Sequence, residues 1–435
     1  MTLGGRRRLF YVLVLVFIAI GGGAVFYAQG WRIDVAAFAV NKVGALYVRP
    51  YPSDADISLN HVPAKKSFAL FDKGAFIANL FPKRYTLTLT RDGYRTLERH
   101  ISVLPALVTE LKFAVLIPKV AVHIGDATRD VWAKGGALLT QSATGTLISE
   151  TGAVRGDTVL GTTLDLGTVL TREKKTYFLT DTRASTTMNV TRLAARLGVT
   201  LTGNSNETLA LDPESGADIL VDMPRALILM NSRCETVATL DVNPRAARRS
   251  TALGMAAVAW ETPTKRGWSL SVYDRLSDTS RDTGHVLPGA PRALAWATKN
   301  TLGILQDDGS FYIYDAAADT LEKTASDVTQ FFFTADGTMA ATLEHRSIEI
   351  FSFATDDYWR FNIPNVEEVQ SLTWYRDNHH LFVTYPDRTA LLDLDDRALE
   401  DLATVVDTNR VAYDPESNRF YFIQDGAVKM VEFAK

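Results

Sequence analysis

Seven histidines, one cysteine and 50 carboxylates are the residues of this chain best able to hold a metal or move a proton. The histidines are His61, His100, His123, His285, His345, His379 and His380. None forms HExxH or another metal-ligand spacing. His379 and His380 fall at the turn or strand start of a hairpin and read as solvated, with a zinc site as the competing reading. Cys234 has no histidine near it in sequence and reads as a small buried core residue. Asp393-Leu394-Asp395-Asp396, with Glu400 and Asp401 beyond, has the acidic density of a calcium loop. It lacks the central glycine and spaced terminal glutamate of an EF-hand, so it reads as a solvated sheet edge. Arg245, Arg248 and Arg249 read as a solvated loop, with a patch for an anionic polymer as the alternative. No G-x-S-x-G elbow occurs. A glycosidase would need two carboxylates about 5–10 Å apart, and no spacing marks such a pair. The sequence thus assigns no catalytic, cofactor-binding or metal residue, and the chain is expected not to be an enzyme.

The elements that would position any site begin with an anchor. Leu9–Ala28 carries no charge, and the uncharged run between Arg8 and Arg32 is 23 residues. A helix of that length crosses a hydrocarbon core of about 30 Å. Twelve of the twenty residues are Leu, Ile, Val or Phe. At centre-of-membrane values these favour insertion by roughly 4–7 kcal/mol as an upper limit. Arg6, Arg7 and Arg8 precede the span, and a weaker, mixed cluster (Arg32, Asp34, Lys42) follows it. The positive-inside bias places the N-terminus in the cytoplasm and the bulk of the chain outside. A cleaved signal peptide would have a shorter apolar region ending in small residues, and Phe26-Tyr27-Ala28 does not fit that. Residues 1–30 therefore read as a basic tip and signal anchor, a single membrane pass through residues 9–28. Residues 31–43 read as a juxtamembrane linker in which Trp31 sits at headgroup level. A net charge of −4 argues against a nucleic-acid partner. With one cysteine, no internal disulfide forms.

Residues 44–118 read as a small β-sandwich. Tyr85–Thr90 alternates strictly, the period-2 mark of a half-buried strand. Asp92-Gly93 supplies a turn, and further short strands are expected over 45–49, 56–60, 68–71, 76–80, 99–103 and 108–115. Four blocks in order carry a resemblance: Gly44–Val48, Tyr51–Asn60, Asn79–Tyr85 and Arg91–Tyr94. They resemble a PEGA domain, a short extracytoplasmic β-sandwich module of bacterial and archaeal surface proteins. Ser53-Asp54 stands where that family has Glu-Gly, and Lys83 where a glycine commonly follows the proline. The resemblance implies a structural or adhesive module without catalytic residues.

Residues 119–435 are organised by a repeat. Val258-Ala259-Trp260, Leu294-Ala295-Trp296, Phe331-Phe332-Phe333, Leu372-Thr373-Trp374 and Val411-Ala412-Tyr413 align, with aromatics 36, 37, 41 and 39 residues apart. Each is followed by short strands and Asp/Gly/Asn turns, the pattern of a β-propeller blade. Each aromatic is expected to pack between neighbouring blades. Residues 124–253 are less regular, with room for two or three blades and a helix over Val190–Gly198. Seven blades are expected, with eight the alternative. Lys119–His123 is the candidate strand to complete the last blade and close the ring. The region resembles WD40-like and TolB-like extracytoplasmic propellers.

The expected fold is mainly β: transmembrane helix, PEGA-like sandwich, propeller. The expected function is a non-catalytic, membrane-anchored binding or scaffold protein of the prokaryotic cell surface. Its partner would be an envelope protein or cell-wall polymer bound on a propeller face. The alternatives are an enzyme acting on an envelope glycan or peptide in the propeller funnel, and a sensor or assembly factor of an envelope complex.

Overall fold

The computed structural model describes residues 3–434 apart from 35–38, 65–66, 69–73, 127, 205–206, 234, 236, 243–249, 255, 346, 356 and 396–401. The chain divides into two compact units, Met1–Val120 with Phe433–Lys435, and Ala121–Glu432.

The first unit opens with a helix, Leu3–Ala28. Its Leu9–Ala28 segment is long and apolar enough to cross a membrane, and none of it is buried. The connector after it is a β-hairpin rather than a plain linker: Trp31–Asp34 pairs with Ala39–Lys42. Two four-stranded sheets follow. One joins Gly44–Tyr51 to Val108–Val115, Ala75–Leu80 and Ser67–Phe68; the other joins Asp56–Leu59 to Val62–Pro63, Arg84–Thr90 and Leu97–Ser102. The alternation in Arg84–Thr90 buries Tyr85, Leu87 and Leu89 in a core shared with Leu46, Val48, Ile57 and Leu111. Most of the strand expected over 68–71 lies outside the described residues.

The second unit contains eight four-stranded antiparallel sheets among its described residues. In chain order they cover 128–154, 158–189, 208–242, 251–287, 291–325, 328–361 and 371–406, and the eighth is built from 411–432. The fourth strand of the eighth comes from the other end of the unit. Val122–Asp126 pairs antiparallel with Ala427–Glu432, matching Val122 to Met430 and Asp126 to Ala427. The closing strand is thus 122–126, shifted three residues from the expected 119–123. Replacing residues 122–126 with a Gly/Ser segment is expected to lower the melting temperature of this unit, read by circular dichroism, since it re-exposes a strand edge. Unchanged melting would remove the strand from the stability argument.

Buried clusters join each sheet to the next. Leu139 and Val169 link the first and second, Leu170 and Ile219 the second and third, and Leu220 and Trp260 the third and fourth. Leu270 and Leu302 link the fourth and fifth, Phe311 and Val328 the fifth and sixth, and Ile350 and Leu372 the sixth and seventh. Phe382 packs against Phe420 in a tilted pair with ring centroids 4.6 Å apart between the seventh and eighth, and Tyr421 meets Val131 between the eighth and first. The ring is therefore closed, and first strands of several neighbouring sheets approach one another at its hub. This arrangement is propeller-like. Three sheets arise from the irregular stretch, so the described sheets of this unit number eight, the alternative to the expected seven. The helix there is Val190–Arg196, capped by Asn189 and followed by Gly198 at φ +80°.

Local chemistry explains the hairpins. Asp181, Asp212, Asp274, Asp315 and Asp414 each accept backbone N–H groups two and three residues on. Four residues after each stands a left-handed residue: Ser185, Gly216, Asp278, Asp319 or Asn418. Asp, Asn and Gly tolerate that conformation, so the turn is written in the residue types.

The recurring aromatics do pack between sheets, with one correction. Trp296 Nε1 donates to Ala252 O at 3.2 Å, and Trp374 Nε1 to Phe332 O at 3.1 Å, each across to the first strand of the preceding sheet. Gly254 makes room for Trp296, where a Cβ would lie 2.7 Å from the indole, and Gly303 makes room for Phe333 at 2.6 Å. Trp260, however, lies on the second strand of its sheet, Ala257–Pro263. The register equivalent of Trp296, which faces Leu302, is Leu253, which faces Val258. An apolar strand with a terminal aromatic reads alike in either place, so spacing alone misassigned it.

Candidate functional site

A groove of about 840 Å³ lies between the fifth and sixth sheets. Its charged lining is Glu322, Lys323, Asp327, Glu344, Glu349, Asp357 and Arg360. Register explains the cluster. Thr342, Glu349 and Arg360 stand directly opposite one another on consecutive strands, so their side chains share one face of the sixth sheet. Glu344, two residues beyond Thr342, points the same way.

Glu349 is buried and held by Arg360, whose Nε donates to Oε1 at 2.6 Å and whose Nη2 pairs with the same oxygen. Ser347 Oγ donates to Glu344 Oε2 at 3.1 Å. Burial, then a hydrogen bond that protonated Glu344 donates to the Glu349 carboxylate, and that carboxylate's charge, push Glu344 up to about 7. Glu344 therefore keeps its proton to near neutral pH, because burial and a neighbouring carboxylate both disfavour its charged form. Hydrolase carboxyls stand about 5–10 Å apart to admit a sugar or water. Here Glu349 is held by Arg360 and Glu344 by Ser347, so both carboxyls already have partners. They stand on the second and third strands of their sheet. At the hub, amides connect neighbouring first strands: Gln330 Nε2 donates to Gln370 O, and Asn409 Nδ2 to Gln370 Oε1, both at 3.1 Å.

His380 departs from its expected solvation. His379 is exposed, but His380 is 1% exposed on a strand, His380–Thr384, that is buried throughout. Its Nδ1 lies 2.8 Å from Asp377 Oδ2 and its Nε2 3.2 Å from Asp393 Oδ2. Burial alone would lower its pKa; hydrogen bonds to Asp377 and Asp393, with their charges, overcome this and raise it to about 9. Asp393 is accordingly buried, not part of a solvated acidic edge. Asp396, Glu400 and Asp401 of that run lie outside the described residues, as do Cys234, Arg245, Arg248 and Arg249. Among the described residues no group of three or more His, Cys, Asp or Glu is placed to hold a metal. His61, His100, His123 and His345 are exposed, and His285 is half-buried, its Nε2 3.1 Å from Asp319 O.

Two further ionisable groups escaped the sequence reading. Arg275 spans the third and fourth sheets, donating to Asp212 Oδ2 at 2.9 Å and Gly254 O at 2.7 Å and pairing with Asp218. Glu261 is fully buried, and among the described residues neither carboxylate oxygen has a hydrogen-bond partner. Burial pushes its pKa up to about 8. A signal existed: Ala257, Ala259 and Glu261 alternate on one face, and the two alanines are core residues.

No family model matches the sequence, and no curated protein matches it. Among solved structures, a chain of the crystal structure of the mitotic checkpoint complex is similar to 64% of this chain over 90% of its own length. Its identity is 15% and its TM-score 0.43. A chain of Kuenenia stuttgartiensis hydrazine synthase is similar over 63% of this chain and 94% of its own, at 13% identity and TM-score 0.41. At this distance the ring rests on its own closing contacts.

Proposed function

We propose that this is a non-catalytic, membrane-anchored binding or scaffold protein of the prokaryotic cell envelope. In this reading residues 9–28 cross the membrane once, the N-terminus is cytoplasmic and the rest lies outside. Residues 44–118 serve as a PEGA-like module along the chain, and the eight sheets are the eight blades of one propeller. Ring closure is the observation that carries the reading. A ring whose last sheet is completed by a strand from the other end of the unit, pinned by buried ion pairs, is a rigid platform, and rigid platforms suit recognition by surface grooves. The groove between the fifth and sixth sheets is the recognition element. Five carboxyls against Lys323 and Arg360 suit a basic segment of an envelope protein.

The full chain, solubilised in mild detergent, is to be tested against envelope extract, with glycan fractions run separately. Protein retention is expected, and reversal of the exposed rim charges by Glu322→Lys with Asp357→Lys is expected to abolish it while melting stays within about 0.5 kcal/mol of wild type. Retention that survives the reversal would move the site off this groove. Turnover of a glycan fraction by the wild-type chain would replace the reading with an enzymatic one.

A further inference from the structure

The first unit carries an apolar loop where a surface loop is ordinarily polar. From Val103 to Thr109 the sequence is VLPALVT, without a charge. Leu104, Leu107 and Val108 are 53%, 56% and 49% exposed. Single exposed aliphatics need no explanation, but three within five residues form a patch.

Its position supplies the explanation. Val43 N donates to Gly30 O at 2.9 Å, Ala106 N to Val43 O at 3.1 Å, and Ala45 N to Leu107 O at 3.0 Å. The loop is therefore two hydrogen bonds from Gly30, which stands two residues past the end of the apolar helix. The helix exit is itself built for an interface. Phe26 stacks on Trp31 with ring centroids 5.6 Å apart, and the Arg32 guanidinium lies 3.5 Å from the Tyr27 ring centroid. Lys42 lies 5.2 Å over Trp31, and the hairpin pairs Ile33 with Val40, both exposed. Aromatic rings with cations over their faces are the composition of a headgroup layer's protein lining.

We infer that the loop bearing Leu104, Leu107 and Val108 is a second membrane contact, seated in the headgroup region of the bilayer that the apolar helix enters. The inference rests on the anchoring reading above. Lipid is the occupant because the patch continues a collar of Phe26, Tyr27, Trp31, Ile33 and Val40 around the helix exit. The contact fixes the sandwich against the membrane at two points, so it cannot swing freely about Gly30.

The test uses the full chain in a Cys234→Ser background, reconstituted in phosphatidylcholine/phosphatidylglycerol vesicles. Single cysteines replace Leu104, Leu107, Phe17 or Leu276 and carry an environment-sensitive fluorophore. Leu276, 88% exposed in the second unit, is the aqueous reference; Phe17 reports the helix. Nitroxide lipids labelled near the headgroup are expected to quench positions 104 and 107 at least about twofold more than position 276, as for side chains seated at the acyl boundary, and lipids labelled near the acyl-chain terminus are expected to quench position 17, which lies mid-span. Adding Leu107→Asp is expected to return position 104 to the aqueous level while position 17 stays quenched. Quenching at 17 with aqueous behaviour at 104 and 107 would overturn the inference and leave the anchor standing. No quenching at 17 would overturn the anchor, and the inference with it.

Discussion

Replacing His380 with leucine is expected to destabilise the second unit by about 3–5 kcal/mol, the cost of stripping one member from a buried ion pair. The buried Asp393 side chain, and Asp377 beside it, would lose their cationic partner. The effect depends on pH with a definite sign. The histidine pKa is raised to about 9 from the usual 6.5. Its contribution is therefore complete below pH 6.5 and disappears as pH rises through 9. Thermal unfolding of wild type and variant should diverge most at pH 6 and converge above pH 9. His379→Leu, one residue away and exposed, is expected to change stability by less than about 0.5 kcal/mol. Equal melting of the His380 variant and wild type at pH 6 would show that this triad does not hold the seventh sheet.

Glu261→Met is expected to act in the opposite direction and to stabilise the ring. The carboxyl pKa stands at about 8, raised from 4.5 by burial alone. The unfolded chain therefore releases its proton several pH units before the folded one does. Stability falls as pH rises from about 4.5 through 8 and then levels. At pH 7 the gap of about 2.5 units corresponds to roughly 3 kcal/mol. Methionine fills similar volume without a group to desolvate, and exchanging an unsatisfied polar group for an apolar one of like shape is neutral or favourable. A gain of about 2–3 kcal/mol at pH 7–8, shrinking toward zero near pH 4.5, is the expected profile in chemical denaturation. A gain independent of pH would assign the effect to packing instead. Glu261 and His380 both weaken the native chain as pH rises from 6.5 to 8, so the wild-type ring should soften on the alkaline side.

The sequence was informative wherever one strand or one turn carried its own instructions. The uncharged Leu9–Ala28 run needs no partner to read as an apolar helix. Tyr85–Thr90 shows its two faces by alternation. The Asp-initiated turns at 274 and 315 specify hairpins through bonds within five residues. The aromatics at 296, 333, 374 and 413 mark successive sheets because each ring must fill the gap to a neighbour. Those features together determined a mainly β chain with an apolar N-terminal helix and a repeat of three or four short strands.

Tertiary structure decided what depends on which strands meet. Trp260 and Leu253 exchanged roles because a period of about 40 residues fixes the unit and not the strand within it. The irregular stretch hid one sheet among insertions that local spacing cannot count. His380 reads as a solvated turn residue until Asp393, thirteen positions on, is paired beside it by strand register. Glu344 meets Glu349 only when a hairpin folds them together, and Glu349 is held only when Arg360 arrives on the next strand. Charge state follows burial and distance, and both are properties of the packed ring. The histidines and carboxylates that looked inert or interchangeable in the chain thus acquire separate roles: a buried cation, an unpaired acid and a groove wall.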